Sequence, residues 1–167
     1  MINVIKFITP EDAESFNNLC IKLDSETEYR AFEPGERDSD IWKVQSDIQK
    51  VLNSGNSMIF LAEANNHLVG YLDAIGGIYN RSRHVVHISI AILKEFHHLG
   101  IGTKLFSELE KWAKLKNVER LELSVFTYNY PAIELYLKMG FEIEGIKHNS
   151  FKAKGKSVNE FLMYKII

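Results

Sequence analysis

Between residues 84 and 141 the chain runs strand, helix, strand, helix, and no other feature limits its fold as tightly. "HVVHISIAIL" is β-branched and apolar, and its near-continuous apolar stretch from Ile88 to Leu93 predicts a strand buried on both faces. "LKEFHHLGIGTKLF" turns a corner through Gly100 and Gly102 into a helix. In that helix Leu105, Leu109 and Trp112 share a stripe, with Phe106 and Ala113 beside it. "RLELSVF" then alternates, with Leu121, Leu123 and Val125 against Glu122, Ser124 and Phe126. "YPAIELYLKMG" reads as a further helix, closed by Gly140 at its C′ position. Strands separated by helices pair in parallel, so the order predicts a partly parallel, mixed sheet covered by helices, an α/β (α+β) fold.

The remaining segments add antiparallel strands and two more helices. "INVIKFI" reads as a first strand from Ile2. Thr9 and Pro10 then start a helix with Phe16, Leu19, Cys20 and Leu23 on one face. "DSETEYRAFEPGERDSD" breaks the pattern and is expected to be a loop beginning at Asp24. Ile41, Val44, Ile48, Val51 and Leu52 mark a second helix that Gly55 stops. "SMIFLAEANNHLVGYLDAIGGIY" predicts two strands joined at Asn65-Asn66, with a bulge or bend at Gly76-Gly77. "FEIEGI" and "NEFLMYKI" read as two last strands around "KAKGKS". The expectation is one domain over residues 1–167, with about seven strands, mostly antiparallel, and four helices.

Composition narrows the function classes. Twenty basic against 22 acidic side chains leave a formal charge of −2, which gives no general attraction to nucleic acid or to an anionic membrane. A single cysteine, Cys20, excludes an internal disulfide and a cysteine-built zinc site. The N-terminus has no long apolar region and no run is long enough to span a bilayer, so a cytoplasmic location is expected; no metal is expected either.

Gly100 and Gly102 stand where a helix offers unpaired N–H groups and the positive end of its dipole, which suits a phosphate. A dinucleotide fold would want a third glycine where Leu105 stands. A nucleoside-triphosphatase loop would want Gly-Lys-Ser/Thr, whereas Thr103 precedes Lys104 here. The third reading is the pyrophosphate loop of a coenzyme A enzyme. His97-His98-Leu99-Gly100-Ile101-Gly102 resembles the Gln/Arg-x-x-Gly-x-Gly/Ala loop of the GCN5-related N-acetyltransferases, with His97 in place of the usual first residue. Asn129, Ala132, Tyr136, Gly140 and Phe141 match a second pattern of that family, Asn-x-x-Ala-x-x-x-Tyr-x-x-x-Gly-Phe. The order of elements agrees along nearly the whole chain.

The resemblance implies acetyl-CoA as cosubstrate. Its diphosphate would lie on His98, Leu99, Gly100, Ile101, Gly102 and Thr103. Its pantetheine arm would follow Ile90, Ile92, Leu93 and Lys94, with Asn129 near the arm and a backbone N–H near Ile92 polarising the carbonyl. Asn129 also reads as a helix N-cap. Tyr136 would be the acid that protonates the departing thiolate; without the family pattern it reads as a core tyrosine. Relatives often carry a Glu on the strand before the loop, and this strand has none. His87 is the expected base, directly or through water, and its other reading is a solvent-facing strand residue. Arg83 and His84 are expected to hold substrate. The loop with Asp24, Glu26, Glu28, Glu33, Glu36, Asp38 and Asp40 against Arg30 and Arg37 reads as an acidic wall for a cationic amine, with Glu28 and Glu33 in contact, or as a plain solvated loop. The implied activity is direct acetyl transfer to the primary amine of a small molecule, such as an amino acid or a polyamine. A protein N-terminus or lysine is the second choice of acceptor, and a non-catalytic coenzyme A-binding module is the alternative. A homodimer is expected from the habit of relatives.

Overall fold

The computed structural model describes residues 3–167; Ile2, expected to begin the first strand, lies outside them. Seven strands form one sheet in the order β1-β2-β3-β4-β5-β7-β6. They are β1 (Asn3–Phe7), β2 (Met58–Ala64), β3 (His67–Gly76), β4 (Val85–Ile92), β5 (Arg120–Phe126), β6 (Glu142–Ala153) and β7 (Lys156–Ile166). The helices are α1 (Ala13–Glu26), α2 (Ile41–Asn53), α3 (Ile101–Leu115) and α4 (Tyr130–Lys138). Among the described residues only β4 and β5, joined across α3, pair in parallel, and the other ladders are antiparallel.

Register divides the sheet into two faces. Phe60 and Leu72 are cross-strand partners, and Phe60 meets Trp112 of α3 edge-on at 6.0 Å. That face carries α3, whose Leu105, Phe106, Leu109 and Ala113 are fully buried, as the helical stripe predicts. The intervening residues face α1: Tyr71 takes Phe16 at 5.1 Å, over a layer of Leu19, Cys20 and Leu23. The chain enters α1 through a short 3₁₀ turn, Pro10–Asp12, where the Asp12 carboxylate accepts from the Thr9 N–H at 2.9 Å. Both tight hairpins use left-handed backbone: Asn65 and Asn66 at φ 51° and 62°, Lys154 and Gly155 at 48° and 75°.

Four expectations need correction. The irregularity between β2 and β3 falls where Ala62 and Glu63 oppose Gly70 and Leu68, so Val69 is the extra residue. Gly76 and Gly77 instead close β3, where a Cβ would run into Asn56 and Ser82. Asp24 belongs to α1, not to the following loop. The last two strands extend to 12 and 11 residues, beyond the apolar cores that mark them in the sequence, because backbone pairing continues through polar residues. And β4 is not buried on both faces: His87 and Ser89 are exposed, and Ile90 to Ile92 are half-buried.

Candidate functional site

That last departure locates the site. The β4–β5 ladder holds only from Val85 to His87, opposite Arg120 to Glu122. Beyond it the two parallel strands part, which is why the apolar end of β4 has no neighbour on that side. The Val85 carbonyl accepts from the Gly77 N–H, and the Leu93 N–H donates to the Val69 carbonyl. Odd-numbered residues of β4 therefore bond to β3, and by the alternation of a strand Ile88, Ile90 and Ile92 direct their main-chain groups into the seam. At its end the His97 Nε2–H donates to the Ile92 carbonyl at 2.8 Å, tying the glycine loop to the strand. The Lys94 N–H donates to the Glu26 carboxylate at the end of α1, 2.9 Å away.

The loop from His97 opens into α3. None of the N–H groups of residues 98–103 finds a partner among the described residues; the first helical bond runs from Lys104 N–H to the Gly100 carbonyl. No side chain caps this 15-residue helix. Six consecutive free donors at a positive helix terminus make an anion cradle. The two glycines serve it differently. Gly100 holds φ 77° with open space where a Cβ would stand, so its demand is conformational. Gly102 is buried, and a Cβ there would come within 2.7 Å of Leu135 Cδ2, so its demand is close packing of α3 against α4. Tyr136 lies on the same side of the sheet, between Phe106 at 5.9 Å and Phe141 at 6.1 Å. Its burial raises the phenol's pKa, which keeps it protonated. Asn129 caps α4 with its carbonyl, which accepts from the Ile133 N–H, while its side chain makes no cap bond.

The α1 side of the seam is different in character. Its cleft of about 500 Å³ sits at the C-terminal end of β5, between the loop after α1 and the β6–β7 turn. Tyr29, Arg30, Phe32, Phe126, Phe151 and Lys154 are among its lining residues. Glu28 and Glu33 line it too, but the acidic wall is partly neutralised, at Asp24, Glu28 and Asp38. Asp24, 2% exposed, accepts from Arg30 Nε at 2.6 Å and from Arg37 Nε at 2.5 Å, and the Arg30 guanidinium also donates to the Tyr71 hydroxyl at 2.9 Å. Burial raises the pKa of Asp24, and the two guanidiniums outweigh it and leave the carboxyl below its usual range. Glu28 pairs with Lys154 at 2.6 Å across the mouth.

His87 is exposed at the last position of β4 that pairs with β5, on the α1 face. Arg83 and His84 are not brought to the cleft. They precede β4 at the far end of the seam, roughly 26 Å from Ile92 by the rise of an extended strand, and Arg83 donates to the Ser54 carbonyl after α2. One group escapes the sequence reading. Asp73 on β3 faces α1, and its Oδ1 accepts from the Ser89 N–H at 2.9 Å, just past the point where β4 leaves β5. Burial pushes its carboxyl up to about 6 against the opposing pull of Ser89 and Arg30. A lone aspartate within "GYLDAIGG" carries no local signal; only the register of β3 on β4 marks it.

A model of the Acetyltransferase (GNAT) family matches residues 20–141. An L-amino acid N-acetyltransferase of Escherichia coli is 32% identical over 90 residues, covering 52% of this chain and 54% of that protein. An N-alpha-acetyltransferase of Sulfurisphaera tokodaii is 34% identical over 109 residues, covering 58% of this chain and 64% of its own length. The chain thus matches only a little over half the length of these relatives. An acetyltransferase of the GNAT family from Streptococcus pneumoniae superposes with a TM-score of 0.94 at 27% identity, over 99% of both chains.

Proposed function

The chain belongs to the acetyltransferase (GNAT) family, and on that premise we propose that it moves the acetyl group of acetyl-CoA to the primary amine of a small molecule by direct transfer. The observation that carries the proposal is the seam: β4 parts from β5 after His87, beside a helix N-terminus with six free N–H donors. Acetyl-CoA would supply the activated acetyl group. The free amides of residues 98–103 fit its diphosphate, and the main-chain groups of Ile90 with the N–H of Ile92 fit the amides of its arm. Tyr136, held protonated, would give a proton to the thiolate as it leaves.

The amine would arrive from the α1 face, through the cleft below Arg30. Its ammonium has to lose a proton before it can attack. His87 and Asp73 both lie on that face, and Asp73 has the affinity to accept a proton near neutral pH. A peptide N-terminus is the second reading, favoured by the name of the Sulfurisphaera relative.

Thiol release from acetyl-CoA over a panel of amines and short peptides tests this, alongside calorimetric titration of the coenzyme. Saturable binding with amine-dependent thiol release is expected. Binding without release on any acceptor would identify a non-catalytic coenzyme A module, and absence of binding would remove the proposal.

A further inference from the structure

The cleft on the α1 face says more than that an amine enters it. The rings of Tyr29, Phe126 and Phe151 meet along it, with Tyr128 packed against Phe126 outside its lining. Phe126 at the end of β5 is 5% exposed and stands at their centre. It approaches Phe151 of β6 at 5.3 Å, Tyr128 at 5.8 Å and Tyr29 at 6.5 Å. Tyr29 and Phe32, from the loop after α1, are partly exposed. These rings are tilted against one another, and together they give one wall an apolar surface against which a further ring can pack edge-on or tilted. A volume of about 500 Å³ suits a small organic molecule rather than a macromolecular segment.

The charges around the rings point the same way. A polyamine would need free carboxylates for its second and third ammonium groups. Asp24 is held by two guanidiniums and Glu28 by Lys154, whereas Glu26, which accepts from the neutral Lys94 N–H, keeps its charge. Glu33 lines the cleft as an exposed carboxylate. Against Glu26 and Glu33 stand Lys152 beside Phe151 and the one positive charge by which Arg30 and Arg37 together exceed Asp24. A second cation on the acceptor would therefore meet repulsion about as much as attraction.

We infer that the acceptor is a monoamine carrying a large apolar group, aromatic in the best case, whose ring lies against Phe151 and Tyr29, with the buried Phe126 behind them, while its amine reaches the β4–β5 seam. This rests on the acetyltransferase reading above and specifies its substrate class. The amine needs only its own ammonium proton removed. The remaining energy of recognition comes from apolar area, which the rings supply and the paired carboxylates do not.

The test uses the full chain with saturating acetyl-CoA and compares phenethylamine, isobutylamine, ethylamine and spermidine by thiol release. Phenethylamine is expected to exceed ethylamine in kcat/KM by about 50-fold, as burial of a phenyl ring predicts, and spermidine to do no better than ethylamine. Phe151→Ala should cut the phenethylamine advantage to about fivefold or less, with the affinity for acetyl-CoA within about threefold of wild type. Phe126→Leu keeps an apolar side chain at the buried position and should do the same if Phe151→Ala fails to fold. Equilibrium dialysis of labelled phenethylamine with the CoA-bound protein reads the cleft without turnover. Saturable binding weakened by Phe151→Ala supports the inference even if no amine is acetylated, a result that would strike only the enzyme reading. A flat rate across the panel, spermidine as the best acceptor, or no binding of phenethylamine overturns it.

Discussion

Asp24→Asn is the sharpest probe of how the cleft is held. The carboxylate is 2% exposed and bridges Arg30 and Arg37, whose side chains are themselves 11% and 20% exposed. The substitution keeps shape and removes the charge. Two guanidiniums are then left in a poorly solvated site with no counter-ion, and breaking such an arrangement typically costs about 3–5 kcal/mol. For a chain of 167 residues each kcal/mol lowers Tm by about 2–4 °C, so a fall of about 10 °C is expected in a thermal melt. The loss should be local in its effects. Arg30 ties the loop after α1 to Tyr71 on β3, and that loop forms the outer wall of the cleft. KM for the amine should therefore rise about tenfold or more, with the affinity for acetyl-CoA changed less than threefold, because the phosphate cradle lies across the sheet on the α3 side. Lys22→Met, which removes the exposed Lys22–Glu95 pair, is the control and should shift Tm by no more than about 2 °C. An Asp24→Asn protein melting within 2 °C of wild type, or losing coenzyme affinity as strongly as amine affinity, would refute this account of the cluster.

Two further outcomes are expected. Tyr136→Phe should lower kcat about tenfold or more with little change in coenzyme affinity, since the rings of Phe106 and Phe141 still pack on the phenyl group; an unchanged kcat would reduce Tyr136 to a core residue. Asp73 has its folded pKa raised from 3.8 to about 6, so the folded chain binds more protons than the unfolded chain between those values. Its contribution to stability is present below pH 3.8 and is lost as pH rises to about 6, so Asp73→Asn should gain in Tm relative to wild type between pH 4 and pH 7. If Asp73 takes the ammonium proton, the same variant also loses the limb of the kcat/KM profile near pH 6, whereas retention of that limb in Asp73→Asn and its loss in His87→Gln would assign the base to His87.

Local chemistry made much of this protein readable in one dimension. Asn65-Asn66 tolerates the left-handed backbone of a tight hairpin, "RLELSVF" alternates with the period of a strand, and the stripe through Leu105, Leu109 and Trp112 has the period of a helix. The glycine corner and the Asn129-to-Phe141 pattern also depend on short spacings, so they were legible beside those elements. The rest was settled between segments distant in sequence. That β4 leaves β5 after three residues depends on a ladder between residues 85 and 122, and an apolar strand reads the same whether its neighbour stays or departs. A side chain at Gly102 would meet the end of Leu135, 33 positions on. Asp24 looks like one more acid in a charged loop until Arg30 and Arg37 close on it, and Asp73 has no marked surroundings until Ser89 donates to it. The aromatic wall gathers Tyr29, Phe126 and Phe151 from three elements. Periodicity records what a residue does to its own turn or strand; desolvation, charge pairing and cavity shape are sums over neighbours in space, and those sums exist only once the chain has folded.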